Sequence, residues 1–379
     1  MARKSCNLQT FLSPSKTTVG PSFNGRPSNF LRQLNRADMF RSSAYVLLLL
    51  YTVVSLVRCD PFNDQISLSK RTTIGLAITA NFPDPSIIKV NGTWYAFATH
   101  TRGTDIKIQV ARSPDFENWS IIRNVDGSQF DALPVLPAWV RMANYLTWAP
   151  DVQQLDDGSF IMYYSATAAA RPDGSKHCVG AATSPTILGP YTGLADALFC
   201  PLSRGGAIDA SGFKDRNGKR YVLFKVDGNA VGNGGACGNT VIPIVGTPLM
   251  LQPVAADGHT FTGNAVALLD NNGLADQGIL EAPVLTRSRA GVYFLFFSSG
   301  CFATSGYTVS YATASNLTGP YTRADGPLFR TGDGNGLKAP GGMSVWGDNR
   351  HMVLHANYGN GRAMYTTFIA LKGTEVITM

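Results

Sequence analysis

Apolar and polar positions along this chain repeat as one unit: a short strand, a tight turn, then a strongly apolar strand. The unit occurs at residues 85–98, 150–164, 210–224, 282–297 and 342–354. Each copy carries Gly, Asn or Asp at the turn, where positive φ is easily reached. The turn glycines Gly92, Gly158, Gly218, Gly291 and Gly347 lie 66, 60, 73 and 56 residues apart. A second repeat follows the strong strand, beginning at Ala111, Ala182 and Ala312 and reaching Trp119, Tyr191 and Tyr321. It predicts a third strand and an exit turn.

Five small antiparallel sheets cannot each bury two faces alone. Arranged radially they cover one another and leave few exposed edges. The expected fold is therefore all-β, a five-bladed β-propeller forming a single domain. A β-sandwich array is the alternative, and five regular copies disfavour it.

The composition agrees: Gly and Pro are plentiful and charged residues are 15% of the chain. The net charge of +7 is uneven. Residues 1–59 hold eight Lys or Arg and one acid, so 32 − 8 and 25 − 1 leave 24 of each sign from Asp60 onward. The basic balance belongs to this leader and gives no reason to expect a nucleic-acid partner. The leader contains a mostly apolar run at 44–57, short for a membrane span and fitting a signal-peptide core. The expected division is a leader at 1–59 with a signal peptide, Met39 being the expected true start, and a propeller at 60–379. A retained membrane anchor is the rival reading.

Cys6 and Cys59 fall in the leader, leaving Cys178, Cys200, Cys237 and Cys301. An even number in an exported chain suggests two disulfides. Three pairings are open. The repeats make neighbours of Cys178 and Cys200 and of Cys237 and Cys301, which favours that one. Asn91, Asn118 and Asn316 head N-glycan acceptor triplets.

The innermost strand of each blade begins near the axis. Asp84, Asp209 and Glu281 stand at the entrances of blades one, three and four, so residues remote in sequence converge at one end of the axis. Glycoside hydrolysis needs such a set: one acid protonates the leaving oxygen and one carboxylate activates water or attacks directly. Asp151 enters blade two with a different offset from its turn glycine and is expected to be structural.

Phe82-Pro-Asp84-Pro-Ser86, Trp148-Ala-Pro-Asp151, Ile208-Asp209-Ala-Ser211 and Leu280-Glu281-Ala-Pro283, in this order, resemble glycoside hydrolase family 43. The resemblance runs from about Asn81 to Leu371. It implies a five-bladed propeller of inverting enzymes acting on arabinan, arabinoxylan and xylan. Carried over, Asp84 is the general base, Glu281 the general acid, and Asp209 the carboxylate that orients the acid and tunes it. Phe82, Trp148 and Arg362 are the implied sugar-binding residues. Relatives often place a His after the Pro-Gly that opens blade five, and some hold calcium through it. Here Gly342 stands at that place. His355 is the residue left to reach the axis for a metal, so a central calcium is not favoured, and no cofactor is required.

The expected protein is secreted and extracellular, an α-L-arabinofuranosidase or arabinanase acting on a polysaccharide or oligosaccharide substrate. The expected protein is monomeric, without nucleic acid or stable membrane association. β-Xylosidase action on the same scaffold and a non-catalytic carbohydrate-binding propeller are the alternatives. Residues 134–139 and the Gly-rich loop 228–238 are expected to shape the cleft.

Overall fold

A computed structural model describes residues 74–379 apart from Pro172. The leader expectations, including Met39, Cys6 and Cys59, lie outside the described residues. In chain order, β1 (Gly75–Ile78) is followed by β2 (Ser86–Val90), β3 (Thr93–Ala98), β4 (Gln109–Ser113) and β5 (Ser120–Ile121). Next come β6 (Trp148–Gln154), β7 (Phe160–Thr167), β8 (His177–Ser184) and β9 (Thr192–Gly193). Then follow β10 (Ala207–Lys214), β11 (Arg220–Val226), β12 (Leu249–Val254) and β13 (Val266–Leu269). β14 (Leu280–Arg287), β15 (Tyr293–Ser299), β16 (Thr308–Ala314) and β17 (Thr322–Arg323) precede β18 (Gly341–Val345), β19 (His351–Tyr358), β20 (Gly361–Lys372) and β21 (Glu375–Thr378).

These strands form five antiparallel sheets, β2–β5, β6–β9, β10–β13, β14–β17 and a last one built on β18, β19 and β20. The chain is a five-bladed β-propeller. The turn glycines of the first four repeats adopt positive φ, as their spacing predicted. In the fifth, Asn349 takes that role and Gly347 does not. Asn tolerates the left-handed region well enough to substitute.

The ring closes through the N-terminal side. β1 pairs with β20, matching Gly75 with Thr366, Leu76 with Tyr365 and Ile78 with Met364. β21 pairs with β20 as well. The fifth blade thus takes its outer strands from both sides of the domain.

Burial explains why five units are needed. In β7 and β15 every residue is buried, because sheets cover both faces of the middle strands. One apolar cluster fills each of the five junctions between blades. Phe97 and Tyr164 anchor the first, Tyr163 and Phe224 the second, and Leu223 and Leu295 the third. Phe296 with Leu354, and Trp94 with Val353, anchor the last two.

Both disulfides join the pairs that the repeats favoured. Cys178–Cys200 ties β8 to the segment leading into β10, and Cys237–Cys301 ties the β11–β12 loop to the β15–β16 loop.

Ile78 anchors the closing strand in the junction between blades five and one. Ile78→Ala should cost about 2–5 kcal/mol. Val125→Ala, at a fully exposed position, should stay within about 0.5 kcal/mol. Urea denaturation compares the two; equal losses would mean that closure through β1 carries no weight.

Candidate active site

The entrances of the blades share one backbone device. Pairing slips between Trp148 and Asp151, Ile208 and Ser211, Glu281 and Val284, and Gly341 and Ser344. Each slip marks a bulge, and its first residue has positive φ: Ala149, Asp209, Ala282 and Gly342. Asp84 has the same conformation just ahead of β2. Asp84 and Asp209 are therefore equivalent residues. Glu281 is not their equivalent: it stands one place earlier, at the position of Trp148 and Ile208. The entrances group these acids correctly, but turn-glycine offsets alone do not give their register.

A bulge leaves its amide hydrogen to be satisfied from elsewhere. The partner comes from the end of the second strand of the preceding blade. Thr99 Oγ1 accepts from Ala149 N at 3.0 Å, Ser165 Oγ from Asp209 N at 3.0 Å, and Ser298 Oγ from Gly342 N at 2.9 Å. His355 Nδ1 accepts from Asp84 N at 3.0 Å, closing the circle from blade five to blade one. In blade three this place is held by Lys225, which has no acceptor. There Asp209 Oδ2 takes the Ala282 amide hydrogen, at 2.9 Å.

The three carboxylates line one cavity of about 450 Å³ at the mouth of the axis. Their surroundings differ. Asp84 accepts from Thr99 Oγ1 at 2.6 Å and from Arg362 Nη1 at 3.0 Å. Burial raises its pKa, but Arg362, His355 and Thr99 outweigh burial and hold the carboxyl well below the usual range. Glu281 accepts from Tyr307 Oη at 2.8 Å and from Lys225 Nζ at 3.0 Å. Asp209 is pushed up, first by burial and then by the charge of Glu281, with Lys225 opposing. One carboxylate is thus held ionised and one drawn toward its protonated form, the separation that acid–base chemistry uses.

The other expected residues divide. Arg362 lines the cavity and pairs with Asp84. Trp148 lines it too and stacks on His177 at 3.7 Å between ring centroids. Burial lowers His177 to about 4, so that its ring is neutral at pH 7. Phe82 is a correction. It is fully buried in the junction between blades five and one and does not line the cavity. Asn81, Pro83 and Asp84 around it do, and Phe82 packs the other way along this extended segment. Asp151 sits away from the cavity, accepting from the Gly212 amide and Gln153, as a structural residue would.

The loops divide as well. Asn229, Ala230 and Cys237 of the Gly-rich loop form cavity wall. Residues 134–139 do not. Leu136 is buried in the first junction, and Trp139 stacks on Tyr164. Phe302 and Tyr307, on the loop that the Cys237–Cys301 bond secures, complete the wall and were missed in the sequence. Thr99, Ser165, Lys225 and Ser298 were missed too. Each immediately follows one of the sequence repeats, as His355 does, and extending the repeat by one residue would have aligned all five.

A central cation does not fit these residues. One ring nitrogen of His355 takes the Asp84 amide hydrogen, and the other faces Arg362 Nη1 at 3.4 Å. Neither is free for a metal, and the guanidinium already supplies positive charge. Gly342 explains why His355 can lie there. A Cβ on Gly342 would come within 2.6 Å of the His355 ring and 3.0 Å of Asp84 Oδ1.

A propeller whose axis opens on three differently held carboxylates is the framework of a glycoside hydrolase. The chain belongs to the glycosyl hydrolases family 43, whose sequence profile matches residues 77–369. It is similar to an extracellular endo-α-(1→5)-L-arabinanase of Thermotoga petrophila, 29% identical over 272 residues, covering 64% of this chain and 51% of the relative. A β-D-galactofuranosidase of Aspergillus niger is 24% identical, covering 74% of this chain and 76% of the relative. A second extracellular endo-α-(1→5)-L-arabinanase, from Bacillus subtilis, is covered to 50%. The chain spans about half the length of the two arabinanases. Among solved structures, a thermostable family-43 glycoside hydrolase superposes with a TM-score of 0.64 at 22% identity, covering 81% of this chain and 96% of the other. An endo-arabinase from Bacteroides thetaiotaomicron superposes at 0.59 with 18% identity, covering 80% and 99%. These likenesses at low identity speak for the fold.

Gly342→Ala should destabilise the protein by about 1–3 kcal/mol, since the φ is positive and the space is taken. Gly347→Ala, with open space around it and no positive φ, should be nearly neutral. Thermal denaturation distinguishes them; equal midpoints would contradict the tight packing of His355 on Gly342.

Proposed function

We propose that the protein is a secreted glycoside hydrolase that cleaves arabinose-containing plant polysaccharides with inversion, as an α-L-arabinofuranosidase or arabinanase. The observation that carries this reading is that one cavity holds Asp84 and Glu281 on different partners, Arg362 and Thr99 for the first and Lys225 and Tyr307 for the second. Asp84 is kept ionised by Arg362 and serves as the base that takes a proton from water. Glu281 serves as the acid that protonates the leaving oxygen. Asp209, drawn toward its protonated form and bonded to the amide next to Glu281, positions that acid. Trp148 and Arg362 contact the sugar, and Phe302 offers a half-exposed ring at the mouth.

The arabinanase names of the relatives support the substrate class. Export is supported by the apolar run at 44–57, the two disulfides and the extracellular relatives. Among the described residues no helix is long and apolar enough to cross a membrane. The working unit is taken to be a monomer, since the whole trio comes from one chain.

The test is hydrolysis of linear arabinan, arabinoxylan and xylo-oligosaccharides, with NMR of the first anomer formed. An inverted arabinose product is expected. A retained anomer would overturn the two-carboxylate assignment, and release of xylose alone would move the substrate to xylan. Asp84→Asn and Glu281→Gln should each lower kcat about 10²–10⁴-fold.

Arg362→Gln removes the cation that keeps Asp84 ionised. Activity requires the ionised form and is lost as pH falls through its pKa. The acidic limb of the kcat/KM profile should therefore move up by about 1–3 pH units. An unmoved limb would remove Arg362 from this role.

A further inference from the structure

Four of the five second strands end in a neutral side chain that accepts the bulge amide hydrogen of the next blade: Thr99, Ser165, Ser298 and His355. The fifth ends in Lys225, which is fully buried. A cation at a repeat position otherwise held by small acceptors needs a reason, because burying an ammonium is costly unless it is paired. The position it occupies in the ring faces Glu281. Lys225 Nζ donates to Glu281 Oε2 at 3.0 Å and lies 3.0 Å from Asp227 Oδ1, which receives no hydrogen bond of its own.

We infer that Lys225 is the positioning residue for the acid of the reaction, and that Asp227 regulates how much of its charge Glu281 feels. This rests on the proposed role of Glu281. Asp227 offsets the charge of the ammonium that Lys225 holds against Glu281. As the proton passes to the leaving oxygen, the ammonium stabilises the carboxylate that is left behind. Asp209 takes over the amide hydrogen that blade three would otherwise leave unpaired. The remaining charged and titratable groups around the cavity, among the described residues, are Tyr307, which donates to the other oxygen of Glu281, with Asp209, Asp84, His355, Arg362, His100, Arg102 and His177. None of these donates to Oε2.

Two variants act in opposite directions. Lys225→Ser installs the side chain found at this place in blades two and four, so the fold has a precedent for it. Loss of the ammonium should move the alkaline limb of the kcat/KM profile up by about 1–3 pH units. It should also lower kcat at least about tenfold more on arabinan than on a 4-nitrophenyl arabinofuranoside, whose leaving group needs little protonation. Asp227→Asn leaves the Lys225 charge unbalanced and should move the same limb down. Thermal midpoints monitor folding, and Asp227→Asn carries the test alone should Lys225→Ser not fold. A buried lysine that only fills space would leave the limb in place in every folded variant, and that outcome overturns the inference. Failure of the underlying reading is separate: the wild type would hydrolyse neither substrate, or Glu281→Gln would retain full activity.

Discussion

The kinked start of each inner strand organises this molecule. A bulge residue with positive φ buries an amide hydrogen that its own sheet cannot use. The preceding blade supplies the acceptor, so neighbouring blades are registered by a hydrogen bond as well as by apolar packing. The circle of these bonds returns from His355 to Asp84. It therefore depends on the ring being closed, which the pairing of β1 with β20 accomplishes. The residues that complete this circle are the same ones that surround the carboxylates.

That coincidence settles the electrostatics. Three acids in one cavity repel one another, and identical surroundings would make them compete for the same proton. The pseudo-symmetric ring gives them different partners. Asp84 faces a guanidinium and a threonine hydroxyl, Glu281 a lysine and a tyrosine, and Asp209 a backbone amide. Departures from fivefold regularity are thus what give the carboxylates their different partners: Lys225 replaces an acceptor, Glu281 stands one residue ahead of the bulge, and Gly342 makes room for His355.

The walls follow a different logic. The Gly-rich loop and the Phe302 loop lie outside the repeats and are joined by Cys237–Cys301. A crosslink there holds two otherwise independent loops at one side of the cavity.

Much of this was legible in the chain. Alternation and turn glycines specify strands locally, because side-chain direction in a strand has a period of two and tight turns need positive φ. Repetition of that unit five times left few ways to bury the sheets, hence the propeller, the disulfide pairs and the grouping of Asp84, Asp209 and Glu281. Tertiary structure alone decided the rest. Phe82 reads as a binding-site aromatic, yet its direction depends on a junction between residues nearly 300 positions apart. Residues 134–139 read as cleft wall, yet Leu136 and Trp139 pack into the junction between blades one and two. The one-residue offset of Glu281, and the acceptor ring that Lys225 interrupts, arise from bulges. A bulge is a pairing between strands, so no local pattern encodes it, and only the closed ring determines which buried amide meets which side chain.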